Sequence, residues 1–68
     1  MMRYRGYEAR VEPDPRAGIL HGEVVGIRDV ITFQAESADQ IEQAFHDSVD
    51  YYLGFCRRRG EHPETPGQ

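Results

Sequence analysis

Hydrophobic and polar residues alternate along the first half of the chain, then switch to a three-to-four-residue rhythm in the second. From Arg3 to Val11 the alternation puts Tyr7, Ala9 and Val11 on one face and Tyr4, Gly6, Glu8 and Arg10 on the other, the period of a half-buried strand. Glu12-Pro13-Asp14-Pro15-Arg16-Ala17-Gly18 interrupts it and reads as a turn, since proline cannot donate to a ladder and Asp and Gly favour turn geometry. Ile19 to Val25 reads as a second strand. Its parity is open, and the Leu20, Gly22 and Val24 face is taken as core because Gly22 lets a helix approach closely. Gly26 to Asp29 makes the next turn, and Val30 to Ala35 a third strand with Ile31, Phe33 and Ala35 inward. Short connections between the three make an antiparallel meander.

The helix that follows carries its own start and stop signals. Ser37 and Gln40 fit a capping box. Asp39 and Glu42 fall in the first turns and Arg57, Arg58 and Arg59 in the last, the polarity the helix dipole favours. Gly60 stands at a left-handed C-cap position and Pro63 follows, so the helix is expected from Ala38 to about Arg59. At 100° per residue, Ile41, Ala44, Phe45, Ser48, Val49, Tyr52, Leu53 and Cys56 share a face, flanked by Tyr51 and Phe55. That arc spans about 200°, twice the ~100° stripe that covers one layer. The expected fold class is α+β: a three-stranded antiparallel meander with one long helix packed on one face. Residues 1–60 form the domain and 61–68 a flexible polar tail, which could equally be a linker.

Size sharpens the meaning of that surplus. A chain of 68 residues builds one thin core and is marginal alone, so oligomerisation or a partner is expected to complete it. Beyond Tyr51 and Phe55, the outer sheet face is expected to carry Tyr4, Ile19, Val25 and Val30. Contiguous apolar surface with aromatic anchors marks an interface. Twelve acidic residues against eight basic ones, all arginine, give a formal charge of -4. That disfavours nonspecific nucleic-acid binding and suits a basic protein partner. No apolar run approaches the ~20 residues that cross a bilayer, and no signal-peptide core follows Met1, so a cytoplasmic location and no membrane association are expected.

Candidate chemistry is sparse. His46 and Asp50 lie four apart on the polar helix face with Glu42 one turn before. That spacing can hold metal ligands, yet it also describes a solvated face, and no second cluster completes a shell. Cys56 falls on the apolar arc as a buried thiol; a nucleophile there would need a base beside it. Arg57 to Arg59 complement the helix C-terminus, with phosphate binding as the sharper alternative. His21 is expected on the solvent side of the sheet and His62 in the tail. No Ser-His-Asp order, phosphate loop or zinc ribbon is present. The expectation is no catalysis, no cofactor and no metal.

Three phrases carry a resemblance. Tyr4-Arg5-Gly6-Tyr7, the run from Gly18 to Phe33 (GILHGEVVGIRDVITF), and the run from Ala44 to Leu53 (AFHDSVDYYL) resemble the N-terminal domain of HicB-type antitoxins, and Cys56 to Glu64 fits as well. The likeness extends from about Arg3 to Pro66. It implies a partial ribonuclease H-like fold and membership of a type II toxin–antitoxin system. In that family the antitoxin masks HicA, a small basic mRNA-cleaving toxin, and usually continues into a DNA-binding domain that autoregulates the operon. This chain stops at Gln68, where the linker to such a domain would run, so DNA binding is not expected of it. The inward positions Tyr7, Ala9 and Val11 offer no carboxylates for two metal ions, so nuclease activity does not carry over. Asp47, Asp50, Tyr51 and Phe55, with Tyr4 and Val30, are the candidate partner-binding residues, chosen from the helix projection and not from a family motif. The alternative is a stand-alone homo-oligomeric module, a dimer or tetramer, whose surplus apolar surface is covered by its own copies. A residual nuclease or RNA binder using Arg57 to Arg59 is the third reading.

Overall fold

A computed structural model describes residues 2–66. Four antiparallel strands in the order β1 (Met2–Tyr4), β2 (Tyr7–Asp14), β3 (Ile19–Val25) and β4 (Thr32–Ala35) form one sheet, and the helix α1 (Ala38–Arg59) crosses one face of it. The α+β class and the antiparallel sheet under one helix are as the hydrophobic pattern implies. The strand count is not: the sheet has four strands where the alternation suggested three.

The extra strand comes from Arg5 and Gly6. Both have positive φ, 52° and 86°, and they form a two-residue hairpin loop between Tyr4 and Tyr7. The turn shifts the alternation by one position, but β1 has only three residues in which to show the shift, so β1 and β2 read as one strand. The consequence is specific. In a continuous strand Tyr4 and Tyr7 lie on opposite faces; across a hairpin they are partners and share one. Tyr4 therefore faces the helix, packing edge-on against Phe45 and stacking on His46 at 4.0 Å, instead of lying on the outer sheet face.

Three boundaries also move. β2 runs on through Pro13 to Asp14, because β1 ends opposite Ala9 and Pro13 lies where β2 is itself an edge. The turn is then confined to residues 15–18, closed by Asp14, whose Oδ1 accepts from the Arg16 and Ala17 amides at 3.1 and 3.3 Å. Val30 lies in the β3–β4 connection and not in the strand.

The core is a single layer: Tyr7, Ala9, Val24, Ile31 and Phe33 from the sheet side and Ile41, Phe45 and Val49 from α1. Strand parity is as expected, with Leu20, Gly22 and Val24 facing the helix. The reason for Gly22 differs, though. A Cβ there would stand 2.1 Å from the Phe33 ring on the neighbouring strand, so the glycine makes room for a cross-strand aromatic and not for the helix backbone. Helix capping follows the sequence signals. The Ser37 side chain accepts from the Gln40 amide, and Gly60, at φ 70°, donates back to Arg57 O. Among the described residues no layer covers the outer sheet face, which carries charge pairs, Arg3 with Glu8 and Arg10 with Glu23 among them.

Candidate functional site

The helix has two flanks, and the candidate residues divide between them. Asp47, Tyr51 and Phe55 are spaced by four and form one stripe; Asp50 lies about 100° away. The sheet decides what each flank meets, because β1 lies under one side of α1 and β4 under the other.

On the β1 flank the side chains are tied down. Asp50 accepts from the Tyr4 hydroxyl at 3.0 and 3.1 Å and from Arg5 Nη1 at 3.0 Å. The bond to Asp50 raises the pKa of Tyr4 above its ordinary value. His46, expected on a solvated face, is half-buried against the Tyr4 ring. Asp50 and Tyr4 are brought to each other, and both are engaged within the chain.

Beside this cluster, residues 61–66 run back over the body. Glu64 accepts from the Asp29 amide at 2.9 Å, from the Arg28 amide at 3.4 Å and from Arg28 Nε at 3.2 Å. These donors, the Asp29 amide foremost, hold its carboxyl below the usual carboxylate range. The Glu64 amide donates to the Tyr52 hydroxyl at 2.9 Å, which donates to Asp29 Oδ2 at 2.8 Å; Tyr7 donates to Glu64 O. Burial, followed by the bonding to Asp29, pushes the Tyr52 phenol well up. This network went unread in the sequence. The usable signal was two tyrosines on core faces, Tyr7 and Tyr52, whose hydroxyls had to find partners.

On the β4 flank the surface is bare. Val30, Tyr51 and Phe55 are 80%, 70% and 39% exposed, and they are the exposed large hydrophobic residues of the described chain. They converge, with Ile31, Thr32, Ser48 and Tyr52, on one groove of about 390 Å³ between α1 and the β4 end of the sheet. Val30 thus joins the helix residues from the connecting loop. A second groove, about 540 Å³, continues along the same seam past Ala35, Ala44, Gln40 and Gln43, with Glu36 and Asp47 on its walls. Asp47 accepts from Gln43 Nε2 at 2.9 Å, and neither Asp47 nor Glu36 has an ion-pair partner among the described residues.

The other candidates fall apart as chemistry. Among the described residues no three His, Cys, Asp or Glu side chains converge on a point. Cys56 is a buried free thiol. Arg59 bonds Glu61 at 2.6 Å and lies 5.4 Å over the Phe55 ring, so one arginine of the basic run is already engaged. His21 faces solvent beside Asp14, at 3.4 Å. No described helix is long and apolar enough to cross a membrane. Compared with protein-family models, curated proteins and solved structures, the chain matches none.

Proposed function

We propose that this chain is a protein-binding domain of the HicB antitoxin kind, which neutralises a small basic mRNA-cleaving toxin by covering it with the β4 flank of α1. The observation that carries the reading is the convergence of Val30, Tyr51 and Phe55 on one groove. Two exposed aromatics and a valine in a single depression give a partner the apolar anchor on which interfaces depend. The acidic residues beside them, Asp47 and Glu36, and the net charge of -4 favour a basic partner. The sheet-and-helix layering fits a partial ribonuclease H-like domain, with β1 as an added hairpin strand. Asp50 and Tyr4 leave the contact set, because they satisfy each other.

Co-expression with the neighbouring open reading frames tests it. A small basic protein should co-purify, and the chain should restore growth to cells that express that protein. Tyr51→Ser and Phe55→Ser should each weaken the complex by about 2 kcal/mol, roughly thirtyfold, the scale of an aromatic anchor. Absence of any co-purifying basic protein, together with a stable dimer or tetramer in sedimentation that occludes Tyr51, would establish the homo-oligomeric module instead.

A further inference from the structure

The seam between α1 and β4 has a second property, independent of its apolar groove. β4 is the last strand of the sheet, and its outer edge has a definite polarity. The Val24 amide donates to Ile31 O at 3.0 Å, in register with the pairs Glu23–Thr32 and Gly22–Phe33. Antiparallel ladders alternate, so Ile31, Phe33 and Ala35 turn their backbone groups toward β3. Thr32 and Gln34 turn theirs away from the sheet. Two N–H and two C=O groups therefore point off the edge. Exposed edges are usually blunted by lysine, proline, a bulge or a covering segment. Here the side chains on the outward-pointing residues are neutral, and residues 61–66 bond elsewhere.

A strand added to this edge would set alternate side chains against the helix flank, beside Ile31, Phe33 and Ala35. The two grooves lie at the two ends of that row: the apolar one at Ile31, the acidic one at Ala35. We propose that the open edge of β4 is a strand-addition site for an extended segment of a basic protein. The segment pairs antiparallel with Thr32 and Gln34, seating an apolar side chain in the Val30–Tyr51–Phe55 groove. Four residues earlier in the segment, an arginine or lysine enters the groove walled by Glu36 and Asp47. Main-chain bonds supply affinity in such recognition and the alternate pockets supply selectivity. A second copy of this chain fits less well: Thr32–Ala35 has no basic residue to offer the acidic groove.

This inference rests on the β4 flank being the partner surface, but it can fail separately. The probe is an acetylated, amidated pentapeptide, Arg-Thr-Val-Thr-Leu, titrated to about 1 mM into the isotopically labelled chain; that range reaches binding of only ~4 kcal/mol. Saturable shifts are expected at the Thr32 and Gln34 amides and at the Tyr51 and Phe55 rings. Affinity should fall at least tenfold when aspartate replaces the peptide's arginine, and when both peptide threonines are N-methylated, because they pair with Thr32 and Gln34. Thr32→Pro removes only an outward donor, so the fold should persist by circular dichroism while peptide binding falls tenfold or more. No saturable shift, or shifts that survive N-methylation, would overturn strand addition; that arm uses the unaltered chain. A basic partner that co-purifies equally with the unaltered chain and with Thr32→Pro would sink the edge mechanism and leave the antitoxin reading standing. Peptide binding without any basic partner in co-expression would do the reverse.

Discussion

The two flanks of α1 start from similar residue types and end in opposite states. Each has an aromatic ring and an aspartate at the helix surface: His46 and Asp50 on one, Tyr51, Phe55 and Asp47 on the other. On the β1 side the hairpin brings Tyr4 and Arg5 up to Asp50; between the flanks, residues 61–66 supply Glu64 to the hydroxyl of Tyr52, whose ring also borders the open groove. On the β4 side no hydrogen bond from outside α1 reaches Tyr51, Phe55 or Asp47 among the described residues. Tyr51 stays 70% exposed and Asp47 bonds only a glutamine of its own helix. An apolar arc wider than one layer can cover is thus resolved asymmetrically, and the bare flank coincides with an open strand edge. Surplus surface on a small domain becomes informative when half of it is demonstrably satisfied from within.

That asymmetry can be broken at several points. The largest effect should come from the shared core: Phe45→Ala, at a fully buried position between the flanks, should destabilise by about 3–5 kcal/mol in denaturant unfolding, enough to unfold a marginal domain. Where residues 61–66 close over the body, Tyr52→Phe strips the Glu64 amide of its acceptor and should lose about 1–2 kcal/mol. On the open flank, Tyr51→Ser should stay within about 0.5 kcal/mol of the parent, since an exposed side chain contributes little to folding. Equal losses for Tyr51→Ser and Tyr52→Phe would erase the distinction between a tyrosine bonded within the chain and one left bare.

Titration sharpens the Glu64–Tyr52 network further. The Glu64 carboxyl is held below its ordinary pKa in the folded chain, so the stability it adds is present above about pH 4.3 and is lost as pH falls through the lowered value. Glu64→Gln should flatten that acid limb of the stability profile. The Tyr52 phenol is raised, so its contribution is intact below the ordinary value of 10.0 and declines as pH rises above it. Tyr52→Phe should reduce that alkaline loss.

Much of the fold was legible because it is written in local signals. Ser37, Gln40 and Gly60 delimit α1, and the alternation of Tyr7, Ala9 and Val11 against Glu8 and Arg10 fixes the buried face of β2. The hairpin was illegible for a physical reason. A two-residue turn shifts the alternation by one position, but β1 is too short to show the slip, and Arg5 is not a residue whose type announces a positive φ. The candidate site was half legible for a related one. Periodicity ranks helix positions by angle, so it found Tyr51, Phe55 and Asp47, but it is blind to what lies opposite them.

The sequence by itself determined the helix and its caps, the inward face of three strands, the acidic balance and an apolar arc too wide for one layer. Each follows from neighbours within a few residues. The tertiary structure alone decided which side of that arc is covered, because the covering groups come from far along the chain: Tyr4 and Arg5 reach Asp50 across 46 and 45 positions, and Glu64 reaches back to Asp29 across 35. No local pattern encodes such contacts. They arise when the hairpin closes on one flank and residues 61–66 close on the β3–β4 connection, leaving β4 as the edge.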